Sequence, residues 1–209
     1  GPDQAVKPGP TQAVTTMHAH GIEQSAIHKH LLEHSPQVWW THIHAMGDPV
    51  QLATALKAVL DVTGIPVPKP PPAAQPPVDL DTAAVNGALG RTGTADGGLL
   101  KFTVARREQI TDDGHVLPPT FGASSAINFQ PVGGGRAAIN GDFTLIGSEV
   151  NTVISRLRAG NINVVELHNH SLTDDPRLFY LHFWAVDEAP TLARTLRTAL
   201  DATNSAPAK

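Results

Sequence analysis

Two stretches of the sequence carry histidines at the same spacing. In each, the second histidine lies two residues after the first, and the third lies twelve residues after the second. The first stretch contains His28, His30, His42 and a further His44, and the second contains His168, His170 and His182. Imidazole nitrogens bind zinc, copper, nickel and iron, and three histidines around one ion leave a coordination position for water or substrate.

Strand geometry would bring each histidine triplet together. Residues two apart on a strand point to the same face, so His168 and His170 project side by side and Glu166 shares their face. His182 falls on the next strand of a predicted hairpin, where cross-strand neighbours lie about 5 Å apart at Cβ. The pattern predicts, in each half of the chain, a pocket for a divalent transition metal, Zn or Cu, or for a small polar ligand.

A structural role for the same histidines stays open. A buried histidine often donates a hydrogen bond to a backbone carbonyl, and His168 or His170 could order the turn over residues 171–176 in this way. Retention of the pattern in both stretches would then reflect a shared requirement of the fold rather than a ligand.

Further candidate site residues surround the second triplet. Arg177, Tyr180 and Trp184 are candidate ligand-binding residues, because a guanidinium binds carboxylate or phosphate and aromatic rings stack on flat ligands. Glu166 and Asp175 are weak candidates for a general base acting on a metal-bound water. Neither has an acidic counterpart in the first stretch, so at most one half of the chain would be catalytic.

The similarity between the two stretches extends beyond histidine. A shift of 140 positions keeps them in register over roughly 40 residues without a gap. The matching residues are Ile22 with Ile162, Pro36 with Pro176, Leu52 with Leu192, Leu56 with Leu196, Leu60 with Leu200, and Asp61 with Asp201. The sequence therefore predicts an internal duplication.

A proline-rich segment separates the two halves. Because proline fixes φ and lacks a backbone donor, residues 65–79 are expected to be an extended, semi-rigid linker. The predicted domains are a partial first repeat over residues 1–64 and a complete second repeat over residues 80–209.

Hydrophobic periodicity predicts an α+β fold of two related repeats, in which helices pack on mainly antiparallel sheets. The first repeat is predicted as helix 11–20, strand 23–30, strand 38–45 and helix 49–62. The second is predicted as three strands, a helix, two strands and a helix, with a turn at 133–135. The first repeat therefore lacks three strands and is N-terminally incomplete.

Composition excludes several classes of function. The net charge is −4 and no basic stripe is visible, so nucleic acid is not an expected partner. The chain has no cysteine, which excludes disulfides and thiolate metal sites. The leading Gly1-Pro2 is typical of a tag-cleavage remnant, and we expect the natural chain to begin elsewhere.

The residues from Gly141 to Trp184 carry a family resemblance. The segments "GDF", "EVN", "LHNH", "PRLF" and "HFW" fall at fixed spacing in this region, preceded by "ALGRTG" at residues 88–93. Together they resemble the repeated domain of the mycobacterial LppY/LpqO-type lipoproteins, which belong to a wider bacterial family described as a domain of unknown function. Residues 11–64 resemble the same unit less closely. The resemblance implies an exported, secreted, periplasmic or lipid-anchored protein and transfers no catalytic residues.

Three functional hypotheses follow from these observations. The first is an exported, histidine-rich binding protein for a divalent transition metal or a small polar ligand. The second is a metal-dependent hydrolase of cell-envelope or extracellular substrates. The third is a cell-envelope interaction module without a pocket. The sequence identifies neither the ligand nor the oligomeric state.

Overall fold

The computed structural model describes residues 10–70 and 74–208, and these form an α+β fold, as predicted. The Gly1-Pro2 pair and residues 71–73 of the predicted linker lie outside this part. The helices are α1 (Pro10–Ala19), α2 (Pro49–Asp61), α3 (Thr82–Leu89), α4 (Val150–Ala159) and α5 (Ala189–Leu200). The strands are β1 (Glu23–His28), β2 (Trp40–His44), β3 (Thr94–Asp96), β4 (Leu99–Ala105), β5 (Thr111–Asp112), β6 (His115–Val116), β7 (Ser124–Gly133), β8 (Arg136–Ile146), β9 (Asn163–His168), β10 (Asp174–Asp175) and β11 (Leu178–Glu188).

The main sheet is six-stranded and antiparallel, in the order β3-β4-β7-β8-β11-β9. Alternate residues of its central strands, including Phe143, Leu145, Leu181 and Phe183, are fully buried in the core. Helices α3, α4 and α5 contribute to the same core and cover that face of the sheet. The residues between them on β11, among them His182, point to the opposite, helix-free face.

Helix α5 is the central element of the helical layer. Its apolar residues recur at helical spacing, and Leu192, Leu196 and Leu200 are each at most 3% exposed. It contacts both α3 and α4, and the close approach to α4 requires Gly160, where a Cβ would lie 2.2 Å from the Thr195 side chain. This packing holds β11, and with it His182, between β8 and the edge strand β9.

The N-terminal segment forms α1, the hairpin β1–β2 and α2, in the predicted order. Helix α2 begins at a cap in which the Asp48 carboxylate accepts from the backbone of Val50 and Gln51. A small separate core lies between the helices and the hairpin and consists of Ala13, Met17, Ile22, Ala55 and Val59.

The hairpins β1–β2 and β9–β11 have the same pairing. Ala26 pairs with His42 as Glu166 pairs with His182, and an irregularity follows at the same place in both. His28 pairs with Trp40, and the residues 140 positions later, His168 and Tyr180, are also partners. The third histidine of each triplet lies two residues after the partner of the first. The first and third histidines are therefore diagonal neighbours on adjacent strands.

Helix α3 was not predicted from the sequence, whereas the glycine turn at residues 133–135 was predicted at its correct position. Helix α3 precedes the strands of the main sheet and was not predicted, although Asp81 caps its start and Gly90 ends it at φ +68°. Gly133, Gly134 and Gly135 join β7 to β8 at positive φ, as expected for this turn. The described linker residues form neither helix nor strand, and the domain boundaries stay a prediction. No helix in the described part of the chain is long and apolar enough to cross a membrane.

A buried ion pair ties α4 to β4 and to the C-terminal residues. The Arg106 guanidinium donates to Glu149 at 2.7 and 3.0 Å and to the Thr144 carbonyl, and Glu149 also accepts from the Asn204 backbone. Arg106 and Glu149 are 8% and 9% exposed, so water cannot replace either partner.

We expect Glu149→Ala to lower the free energy of unfolding by about 3 kcal/mol, because Arg106 keeps a buried charge that Glu108 only partly neutralises. Urea denaturation measures the change. The control is Asp61→Ala, which breaks the exposed pair with Lys57 and should cost less than about 1 kcal/mol. Equal effects of the two substitutions would contradict the argument.

Candidate functional site

The two histidine triplets form one cluster, not the two separate pockets predicted from the sequence. β1 lies against β9, and the rings of His28 and His168 stack with their centroids 3.6 Å apart. His42 stacks on His170 at 3.6 Å, and His30 stacks on His182 at 4.0 Å. The prediction of one site per half was wrong because strand periodicity orients side chains within a hairpin but says nothing about how two hairpins pack together.

Four of these histidines are placed to share a metal ion. One nitrogen from each of His28, His168, His170 and His182 lies within 4.8 Å of the other three. His28 and His182 are 4% and 2% exposed, so the rings are largely removed from water. Zinc–imidazole bonds are about 2.0–2.1 Å long. A modest movement of the four rings toward a shared ion would bring their nitrogens to this distance.

Aromatic rings extend the cluster at both ends. Trp40 stacks on His30 with centroids 4.0 Å apart, and Tyr180 stacks on His170 at 3.4 Å. Tyr180 is itself buried, so its ring is a wall of the histidine cluster rather than a free platform for a ligand.

Backbone carbonyls set which nitrogen of two rings carries the proton. His182 Nδ1 lies 3.1 Å from the Gly141 carbonyl and His28 Nδ1 lies 3.3 Å from that of Lys29. A carbonyl only accepts, so Nδ1 donates in both rings and Nε2 keeps its lone pair. Gly141 permits this contact because β7 and β8 approach closely there: a Cβ would meet the Ala126 carbonyl oxygen at 1.9 Å.

Several buried ring nitrogens in the cluster have no hydrogen-bond partner among the residues that the structure describes. They are His30 Nε2, His168 Nδ1 and His182 Nε2. A buried polar atom without a partner costs about 1–3 kcal/mol, so three in one cluster require a compensating interaction. Coordination of metal by the unprotonated Nε2 atoms of His30 and His182 would supply that interaction for two of the three, and the donor set therefore fits a transition metal.

The cluster histidines are held neutral. Burial, reinforced by the neighbouring histidines, lowers the pKa of His30 and His168 to about 3. Burial likewise lowers the pKa of His42 and of His182 to about 4, although the Gly141 carbonyl opposes the shift at His182. The pKa of His28 and that of His170 are also lowered, chiefly by burial. Neutral imidazole is the form that binds metal.

Two carboxylates flank the cluster. A Glu166 oxygen lies 3.9 Å from Nδ1 of both His28 and His168, and the Lys29 backbone donates to the same carboxylate. Asp142 is the cross-strand partner of His182 on β8, and burial raises its pKa to about 6. The sequence does not point to Asp142 as a site residue, because its place beside His182 follows only from the pairing of β8 with β11.

His44 and Asp175 lie apart from the cluster. His44 Nδ1 is 3.7 Å from Asp112 Oδ2, and the side chain lines a separate cavity of about 180 Å³ with Glu23 and Ser171. Asp175 is exposed on β10, where its strand pairs with β5. Neither residue therefore reaches the histidine cluster.

In the part of the chain that the structure describes, Arg177 and Trp184 neither hydrogen-bond to the cluster histidines nor stack on them. Arg177 donates to the Ser171 carbonyl and to Asp174, and so orders the turn between β9 and β11. Asp174 completes that turn by accepting from the Leu178 backbone. Trp184 is half-buried on the helix-free face and lies two residues after His182 on β11. The turn at 171–176 is thus braced by Arg177 and Asp174.

Comparison with known proteins identifies a family. The sequence matches the family described as Domain of Unknown Function (DUF1259) over residues 10–62 and 83–202, which is most of the chain. No curated protein and no solved structure matches it significantly.

We expect the metal-free protein to lose stability as the pH falls below about 6.5. The folded state keeps the cluster histidines neutral, whereas the unfolded chain takes up protons at the ordinary pKa of about 6.5. The stabilisation is complete above that pH and is lost as the pH falls toward about 4. Each histidine that stays neutral in the folded state contributes up to about 1.4 kcal/mol per pH unit to the slope of the unfolding free energy. Urea unfolding of EDTA-treated protein between about pH 7.5 and pH 5 measures the slope.

A matched pair of variants isolates the contribution of the cluster. His182→Gln should reduce the slope because one buried titrating ring is removed. His115→Ala removes an exposed histidine on β6 and should leave the slope unchanged. If His182→Gln and the unmodified protein gave the same slope, the cluster would not be the source of the acid sensitivity.

Proposed function

We propose that this chain, which belongs to the DUF1259 family, binds a transition-metal ion, zinc or copper, through its histidine cluster. The observation that carries the proposal is four histidine nitrogens within 4.8 Å of one another, contributed by β1, the end of β9, the turn after β9, and β11. His28, His168, His170 and His182 would hold the ion. With no cysteine in the chain, a borderline metal that accepts imidazole is favoured over one that needs thiolate.

Glu166 would act as a positioning residue for this site. It faces Nδ1 of His28 and His168, whereas the Nε2 atoms of the same rings lie 2.9 Å from His42 and 3.1 Å from His170. At 3.9 Å the carboxylate forms no direct hydrogen bond with either ring, so its negative charge acts through space and raises the basicity of the imidazoles toward the metal. Asp142, beside His182, would offset part of the positive charge.

A binding role agrees better with these positions than a hydrolytic one. A metal-assisted hydrolase needs a carboxylate beside the open coordination position of the ion. Glu166 contacts the outer edges of two ligand rings, and Asp175 is exposed on another sheet. An interaction module without a pocket would leave the partnerless buried nitrogens unexplained.

Two further elements belong to this proposal. The common pairing of β1–β2 and β9–β11 supports an origin of the two histidine stretches by duplication. The kinship with LppY/LpqO-type lipoproteins and a location outside the cytoplasm rest on the sequence resemblance. Trp184, half-buried beside His182 on the helix-free face, would contact a small polar ligand that approached the ion.

Untagged protein loaded with Zn²⁺ or Cu²⁺ and then desalted should retain metal, measured by elemental analysis. His168→Ala and His182→Ala should each weaken binding by more than about 100-fold, since they remove a ligand rather than an outer-shell partner. His115→Ala is the control and should bind as the unmodified protein does. Circular dichroism of the metal-free variants separates loss of the site from loss of the fold. Absence of retained metal under all loading conditions would refute the proposal.

Glu166→Gln tests the positioning role. We expect the metal to bind in the same amount but with an affinity lower by about 10–100-fold, because the amide keeps the shape and loses the charge. Competition with a chelator measures the affinity. An unchanged affinity would remove Glu166 from the site, and a lost site with an unfolded protein would assign it a structural role.

A further inference from the structure

The six cluster histidines are arranged as three stacked pairs. His28 and His168 form the inner pair, with centroids 3.6 Å apart. His42 with His170 forms one outer pair, and His30 with His182 forms the other. The His28 ring lies 5.0 and 5.6 Å from the rings of the first outer pair and 4.9 and 5.2 Å from those of the second. The inner pair therefore stands equally close to both outer pairs.

The two triplets make matching contacts. The rings of His28 and His42 are 5.0 Å apart, and those of His168 and His182 are 4.8 Å apart. The separation of His28 from His30 is 4.9 Å, and that of His168 from His170 is 5.1 Å. Even the flanking aromatics correspond: one outer pair ends on Trp40 and the other on Tyr180. These ring contacts thus have equivalents 140 positions away and describe an approximate local two-fold arrangement, although the hydrogen bonds differ: His28 Nε2 meets His42, whereas His168 Nε2 meets His170.

A single tetrahedral ion does not use all of these donors. It accepts four imidazoles and leaves two of the six rings beside it, desolvated and without coordination. His30 is such a ring, and its Nε2 is buried without a partner. Among the described residues, His42 Nε2 has only His28 Nε2, 2.9 Å away, as a partner. The symmetry of the cluster gives neither outer pair precedence over the other.

We infer that the cluster is a dinuclear transition-metal centre. This rests on the proposed function and divides its four ligands, together with His30 and His42, between two ions. His42 and His170 supply two ligands to one ion, His30 and His182 supply two ligands to the other, and the inner rings of His28 and His168 supply one ligand each. Each ion then has three histidines and an open position. Two such open positions face one space when the ions are about 3.5–4 Å apart, as in two-metal sites generally.

The charge around the cluster constrains which ions it takes. Six neutral imidazoles compensate none of the charge of two cations, and the nearby carboxylates are Glu166 and Asp142. Copper and zinc both accept three neutral nitrogen ligands, and copper in its monovalent state carries half the charge. The centre is therefore suited to copper or zinc rather than to hard, oxygen-seeking ions such as Mg²⁺.

The test is the metal stoichiometry of the full chain and of two ligand variants, with Cu²⁺ and Zn²⁺ as probes. We expect two equivalents retained after desalting in the unmodified protein and one equivalent in both His30→Ala and His42→Ala. His115→Ala should retain two. Two Cu²⁺ ions at this separation should also couple, so the electron paramagnetic resonance intensity should fall below that of the bound copper.

The outcomes separate this inference from the proposed function. Retention of one equivalent, unchanged in His30→Ala and His42→Ala, overturns the second ion and leaves the first intact. Two equivalents that do not decrease in either variant place the second ion elsewhere and also overturn it. No retained metal refutes the proposed function itself. Unfolding of a variant, seen by circular dichroism, leaves the coupling measured on the unmodified protein to decide.

Discussion

The packing of the hairpin β1–β2 against β9 and β11 is the constraint on which the site depends. His182 lies on β11, next to the edge strand β9, and the rings of His28 and His30 stack over it. His28 in turn is buried by His168 rather than by an aliphatic residue. The facing surfaces are thus made of imidazole rings, and few other side chains would suit: they stack like aromatic residues, yet each keeps a nitrogen that must find a partner.

The sequence could predict the chemistry of the site but not its assembly. Histidine spacing and strand periodicity placed His168 and His182 correctly on neighbouring strands of one hairpin, because both depend on local geometry. The joining of the two triplets depends on contacts between segments 140 residues apart, and no periodicity encodes it. The same limit explains Asp142 and Glu166, which flank His182 only through the register of β8 and β9.

Predictions of other elements also succeeded or failed according to local signals in the sequence. Helix α2 has a strong Asp-Pro start signal and was predicted nearly to its ends, whereas α3 is a short helix whose Asp81 cap was overlooked. His44 continues the alternation of the first triplet and was therefore grouped with it. In the structure it pairs with Glu23, at the opposite end of the hairpin from His28, and its ring lies beside Asp112.

Little apolar packing holds the N-terminal segment against the main sheet, because its buried apolar side chains form a small separate core. Leu196 and Leu200 of α5 are buried, but Leu56 and Leu60, the matching residues of α2, are 37% and 52% exposed. Its contacts with the main sheet run through the histidines and through polar bonds such as that of Ser25 to the His170 carbonyl. Ions bound between the two triplets would join these segments directly. The free energy of metal binding would then appear as docking of the hairpin, so coordination and assembly of the site would be one equilibrium.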